Sequence, residues 1–304
     1  MLYILKTALE LGLLYSLVPM ALFLSYRVLD IADLTTDGCF VLGAAVSVQM
    51  AAMGHPILGI PLAMCAGACA GFVTAFLHTR LKVPSILAGI ITNTGLYTIN
   101  LMTMGWSSNV SLLKKTTIYS MFKSIPFVGD WGSVILTFII VAAVSAFLMF
   151  FLGTRLGLSI RATGDNIDMV RASSVNPTFT ITVGLCLANA MTALSGAMVA
   201  QNQKTVDING GTGIVVIGLA CLIIGETVLG RRSVKKGVIA AVVGSIIYRV
   251  IYAICLYTKI IPVDFLKLLT AVVVAIAIAF PALKKGAAFM KKKRIHMRGG
   301  DKNA

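Results

Sequence analysis

Charge is scarce in this chain. Of its 304 residues, 12% are Asp, Glu, Lys or Arg, and only 11 are acidic. A soluble domain carries roughly 25% charged residues, so an ordinary water-facing globule is excluded. Histidine is scarcer still, with three copies. His55, His78 and His296 stand apart near the ends of apolar runs, which argues for surface positions rather than a metal centre. The six cysteines, Cys39, Cys65, Cys69, Cys186, Cys221 and Cys255, lie in or beside apolar runs and are expected as free, buried thiols acting as small hydrophobes. Cys65 and Cys69 are one helical turn apart, but no His, Asp or Glu joins them as ligands. The alternating ten-residue pattern of an outer-membrane barrel is missing. The N-terminus lacks a clear basic region and a small-residue cleavage site, so its apolar run is expected to stay as a membrane helix.

What the chain has in abundance is apolar length. Hydrophobic residues make up 58%, and mean hydropathy is +0.93. A hydrocarbon core of about 30 Å needs about 20 apolar residues per helix, and backbone groups in lipid must bond internally. The sequence therefore predicts an all-α polytopic membrane protein. Its spans read as 9–29, 38–53, 57–77, 84–104, 134–152, 179–200, 213–230, 237–256 and 263–283. This gives eight or nine transmembrane helices, depending on whether the short 38–53 segment crosses fully. Arg27, Asp30, Asp33 and Asp37 crowd the start of that segment, which suggests a broken or re-entrant element. Residues 1–283 read as one transmembrane domain, with a polar segment at 154–177 and a basic tail at 284–304.

The net charge of +15 does not indicate nucleic acid, because no aromatic-interleaved basic groove accompanies it. Arg80 and Lys82, then Arg155, Arg161 and Arg171, then Arg231, Arg232, Lys235 and Lys236, then the tail, fall in alternate loops. These loops are expected to be cytoplasmic, with the C-terminus inside and the N-terminus outside if all the spans cross. A weak internal similarity links Leu29-Asp30-Ile31 and the following Asp37-Gly38 to Val206-Asp207-Ile208 and the following Gly210-Gly211. Both stretches precede a small-residue helix, as internal repeats in transporters do.

Several residues stand out chemically. The run 162–173 has no proline and one glycine, Gly164, near its start. It mixes Ile167, Met169 and Val170 with charges, so it predicts a short helix with something to bury against a partner. Asn176-Pro177 then breaks that helix. Within the spans, Thr92, Asn93, Thr94, Asn100, Asn189 and Thr192 are polar. An unpaired amide in hydrocarbon costs several kcal/mol, so these side chains face other helices or a water-filled path. Asn93 and Asn100, seven apart, share a helix face. Asn93, Asn100 and Asn189 are the candidates for a translocation path, with interhelical bonding as the alternative for each. Glu226 is expected to pair with Arg231 or Arg232, whereas Arg249 has no evident sequence partner. Gly67-Ala-Cys-Ala-Gly71 predicts close helix packing. The stretch from Gly225 to Arg232 lacks the Lys-Ser/Thr of a phosphate-binding loop, so ATP binding by this chain is rejected.

The segment 25–45 opens with Ser25-Tyr-Arg-Val-Leu-Asp30 and carries the run Asp33-Leu-Thr-Thr-Asp-Gly38. It resembles the first membrane segments of ABC-importer permeases of the branched-chain amino-acid and ribose type. Ile160-Arg-Ala-Thr-Gly-Asp-Asn166 through Asn176 is similar to that family's cytoplasmic coupling segment, and 218–244 to its Gly-rich penultimate helices. The Asp-Leu-Thr-Thr-Asp-Gly form is most similar to the tryptophan and tyrosine transport permeases. The resemblance implies a second permease copy, ATP-binding subunits that hold ATP and Mg, and an extracytoplasmic substrate-binding protein. It also implies ATPase docking by Arg161, Gly164, Asp165, Asn166 and Arg171, in a bacterial plasma membrane, with no catalytic residue, metal or cofactor in this chain. Ser174 departs from the pattern, standing where many relatives carry Gly, and a slightly altered helix turn is expected there. The rival reading is an ion-coupled secondary transporter, which would need intramembrane acids or histidines that this sequence has little of.

Overall fold

The computed structural model describes residues 2–113, 115–123, 131–230 and 233–257, with isolated helical positions 272, 275 and 279. Apart from those three positions, the expected span 263–283 lies outside the described residues, as do Arg231, Arg232 and the basic tail 284–304.

The chain begins with α1 (Leu2–Tyr15) and α2 (Leu17–Leu22), followed by a π-helical turn, Phe23–Val28. Together they form one apolar rod, Ile4–Val28, which starts earlier than the expected 9–29. The interruption at Ser16 has a local cause. Pro19 donates no backbone hydrogen bond, and its ring crowds the carbonyl four residues back, at Tyr15. Ser16 Oγ answers by donating to the Leu13 carbonyl at 2.6 Å. Leu14, Leu17, Met20 and Leu24 of this rod are at most 1% exposed.

The helix then stops. Residues 29–35 are non-helical, and α3 (Thr36–Ala52) follows. The charge pattern suggests a break within or around 38–53. In the structure this helix is continuous for 17 residues, about 26 Å at 1.5 Å per residue, and the break lies ahead of it. Asp33 and Thr35 in the break are paired, as irregular backbone inside a membrane protein requires. Asp33 Oδ1 accepts from the Thr35 amide at 2.9 Å, and the Thr35 and Thr74 hydroxyls bond at 2.7 Å.

Next come α4 (Gly59–Thr79) and α5 (Ser85–Thr103), α6 (Ile118–Lys123) and α7 (Gly132–Phe151). A polar excursion carries α8 (Arg155–Asp165) and α9 (Ile167–Ala172). The chain re-enters with α10 (Pro177–Gln203), then α11 (Ile214–Leu229) and α12 (Val234–Tyr257). Five helices among the described residues are long and apolar enough to cross a membrane: Ile4–Val28, α4, α7, α10 and α12. The helices α3 and α11 are apolar but shorter, and the polar side chains of α5 lower its hydropathy. One departure from the all-α expectation is a small antiparallel ribbon, in which β1 (Asn109–Ser111) pairs with β2 (Thr205–Asp207).

Each half follows one order: long helix, break, short apolar helix, long helix. The short α3 packs along α10, and the short α11 packs against α2 and α12. The two stretches that share the weak sequence similarity occupy matching places and touch. Asp37 Oδ2 accepts from the Gly213 amide at 3.0 Å, and Oδ1 from the Val215 amide at 2.9 Å. The carboxylate therefore caps the N-terminus of α11, where negative charge is favoured.

The Gly67–Gly71 pattern does what its spacing predicts. A Cβ on Gly67 would lie 2.5 Å from the Asn189 carbonyl oxygen, and one on Gly71 would lie 2.5 Å from that of Leu185. Helix α4 thus approaches the backbone of α10. All six cysteines are free, but only Cys39 and Cys221 are buried, and Cys65 and Cys69 are exposed. The expectation of buried thiols fails on α4 because Gly67 and Gly71, not the cysteines between and beside them, occupy the face against α10.

Candidate coupling and translocation sites

The polar segment is two helices rather than one. Thr154 Oγ1 accepts from the Gly157 amide at 3.2 Å and starts α8. At Asn166 the backbone is extended, with φ −161° and ψ 106°, and Oδ1 accepts from the Met169 amide at 3.0 Å. An asparagine that bonds to nearby backbone competes with the helix and favours its N-cap. This side chain is why the run 162–173 breaks, and Gly164 falls near the end of α8 rather than near a helix start. Ser174 takes φ 59°, the left-handed conformation that glycine favours after a helix. A serine holds this conformation at some backbone strain.

The inner face of α8 is fixed to the membrane helices. Ile160 is fully buried, and the Thr163 hydroxyl bonds to that of Thr180 in α10 at 2.8 Å. Gly164 lies against the end of the π-helical turn so closely that a Cβ there would overlap the Val28 carbonyl oxygen. The outer surface of α8 and α9 is open and mixed: Leu158, Ile167 and Met169 are 50%, 41% and 54% exposed, among exposed Arg155, Arg161, Asp165 and Asp168. In α9, Val170 is buried, while Arg171 and Asp168 form an exposed ion pair at 3.4 Å.

Beneath this cap is a polar cleft of about 300 Å³, lined by Arg27, Arg161, Asp165, Glu226 and Ser233 among others. Arg27 Nε donates to Glu226 Oε1 at 3.0 Å, and Nη2 to Oε2 at 3.4 Å. Glu226 thus pairs with Arg27, 199 positions away, while the expected partners Arg231 and Arg232 lie outside the described residues. Of the five candidate docking residues, Arg161 and Asp165 line this cleft and Gly164 seats α8. Asn166 and Arg171 belong to the exposed surface of the break and of α9.

The three candidate path residues separate into two environments. Asn93 and Asn100 line one cavity of about 320 Å³, with Asp37, Tyr97 and Thr212 in its wall. Asn189 does not line it. It is fully buried, and its Nδ2 donates to Asp33 Oδ2 at 2.6 Å and to the Leu185 carbonyl at 3.1 Å. It ties the break at 29–35 to α10, a bracing position away from the cavity that holds the other two. The positions of Asp37 and Arg27, which the sequence marks only as members of a charged cluster, depend on contacts with helices remote in sequence. Arg249 has its guanidinium 3.8 Å from the Tyr15 ring centroid, a cation–π contact rather than an acid pair. Among the described residues, no group of His, Cys, Asp and Glu is placed to hold a metal ion.

A helical membrane body with a broken first half, a matching second half and a polar helical cap defines a transporter membrane subunit. Residues 4–278 match the family described as branched-chain amino acid transport system / permease component, and the chain belongs to that family, the permease subunits of ABC transporters. It is 32% identical over 264 residues to the tyrosine transport system permease protein of Clostridioides difficile (strain R20291), covering 86% of each chain. It is 29% identical over 214 residues to the autoinducer 2 import system permease protein LsrC of Salmonella typhi, covering 67% of this chain and 57% of that one. Its fold is similar to a solved metal-chelate type ABC transporter in an inward-facing conformation, with TM-score 0.52 and 16% identity over 92% of this chain and 85% of the other.

Proposed function

We propose that this chain is the membrane-spanning subunit of an ATP-driven importer for an aromatic amino acid. An extracytoplasmic binding protein delivers the substrate. Two copies of the chain form the path across a bacterial plasma membrane, with their C-termini in the cytoplasm. ATP and Mg are held, and ATP hydrolysed, by separate subunits that dock on α8 and α9. The substrate class draws on the likeness to a tyrosine permease.

The observation that carries the reading is the two-faced cap. Its outer face presents Leu158, Ile167 and Met169 among exposed charged side chains, a mixture suited to a protein partner. Its inner face is locked to the π-helical turn through Gly164 and to α10 through Thr163 and Thr180. Closure of the ATP-binding subunits would push the cap as a unit and carry the end of the first rod and the start of α10 with it. The π-helical turn is the place where such a push is absorbed, since irregular turns of this kind recur at functional sites. The Arg27–Glu226 pair extends the same displacement to α11.

Proteoliposomes containing this chain, its ATP-binding subunit and its binding protein should accumulate radiolabelled L-tyrosine only with ATP inside the ATPase-facing compartment. Dissipating sodium and proton gradients should leave the rate unchanged. Uptake that follows an ion gradient without ATP would replace this reading by a secondary transporter.

A further inference from the structure

One cavity combines a buried acceptor that lacks a donor, a carboxylate and an accessible aromatic ring. It is the cavity between α3, α5 and the turn ahead of α11. Asn100 is 2% exposed, and its Nδ2 donates to the Gly38 carbonyl at 3.1 Å. That bond fixes the amide, and Asn100 Oδ1 is left with no partner. A buried acceptor left unpaired is unfavourable, and native proteins rarely keep one without a ligand or water to meet it. Asn189 Oδ1 is unpartnered too, but Asn189 lines no part of this cavity.

Asp37 stands in the same wall as Asn100. Its oxygens accept from Gly213 and Val215, so the positive end of α11 is already occupied and offers little to an anion. The carboxylate keeps spare lone pairs and its charge. No Lys or Arg is among the described residues lining the cavity. A phosphate or carboxylate entering first would meet an acceptor and a negative charge. A primary ammonium carries three donors and a positive charge, and it fits both. Tyr97, 51% exposed, offers a ring face at the same cavity for an aromatic side chain or for the cation itself.

We infer that this cavity is a binding site for a primary ammonium group, that of the transported amino acid, with Asn100 Oδ1 and Asp37 as its acceptors. The substrate class rests on the importer reading above, whereas the ammonium preference rests on the cavity. The site holds the amino end of the substrate beside the junction of the two short helices and leaves the side chain toward Tyr97.

The test uses the full-length chain, co-expressed with its ATP-binding subunit, in lipid nanodiscs without binding protein. Binding of L-tyrosine, tyramine and 3-(4-hydroxyphenyl)propionate is measured by equilibrium dialysis. Tyrosine and tyramine should bind, and the propionate, which lacks the amine, should bind at least about tenfold more weakly. Asn100→Leu should weaken both amines by about tenfold. Equal binding of all three probes or binding of none by the wild-type chain would overturn the inference. ATP-binding subunits that remain bound while amine preference is absent would sink this site alone. Amine preference in a chain that associates with no ATP-binding subunit would sink the importer reading alone.

Discussion

Gly164→Val is expected to uncouple ATP hydrolysis from transport while leaving the complex assembled. The reason is a single close approach. Gly164 sits where α8 meets the end of the π-helical turn, and any Cβ would overlap the Val28 carbonyl oxygen. Overpacking of this kind costs about 1–3 kcal/mol and is relieved by displacing one element. The element that yields more readily is the 11-residue α8, since the rod behind Val28 is buried among α10, α11 and α12. The exposed residues Ile167 and Met169 are on the far side of the Asn166 break, so docking should survive. Coupling changes along such contacts are about 0.5–2 kcal/mol, or roughly 2- to 30-fold, and a direct steric block belongs at the upper end. ATP-driven uptake should therefore fall by roughly tenfold or more, with ATP hydrolysis retained and the ATP-binding subunit still co-purifying. Uptake at the wild-type rate would show that the α8–Val28 contact transmits nothing.

Asn189→Leu should produce the largest loss of stability among the polar span residues. Asn189 donates to Asp33 Oδ2 and to the Leu185 carbonyl. Leucine removes both donors and leaves one carboxyl oxygen of Asp33 unsupported, although Asp33 is 3% exposed. Leaving a buried acceptor without its donor costs about 1–3 kcal/mol, and more for a charged group, partly offset by the added apolar surface. A drop in melting temperature on the order of 10 °C follows for a chain of this size, read by thermal size-exclusion in detergent. Asn93→Leu in the cavity should leave the melting temperature within about 2 °C, because that side chain is half-buried and bounds open space. Equal melting of the two variants would contradict the division between an asparagine that braces the fold and one that borders the cavity.

Periodicity and hydropathy make most of the fold legible. The span 213–230 coincides with α11, because Gly213 and Gly230 take positive φ at its two ends, and such glycines mark helix limits in sequence. The Asn176-Pro177 signal works for the same local reason: Asn176 caps α10 and proline opens it. The polar segment is recognisable as a unit but its interior is not. In sequence, Asn166 is one more polar residue in a helix-forming run, and only its side-chain bond to Met169 shows that it ends one helix and starts another.

The residues that sequence places least well are those whose partners are far away along the chain. Glu226 has a partner in the first rod, Arg27, that proximity in sequence does not suggest. Chemistry groups Asn189 with Asn93 and Asn100, although α10 and α5 deliver them to separate places. Residue type and helical spacing fix a face of one helix, whereas the site depends on which two faces meet.

Co-purification of this chain with its ATP-binding subunit, comparing the wild type with Arg161→Glu plus Arg171→Glu, tests the central claim most directly. Arg161 is exposed on α8 and Arg171 on α9, so the double reversal changes charge on both helices of the cap. The account predicts a stable wild-type complex and its loss in the variant, with the variant chain still monodisperse. A wild-type chain that purifies free of any ATP-binding subunit would contradict it.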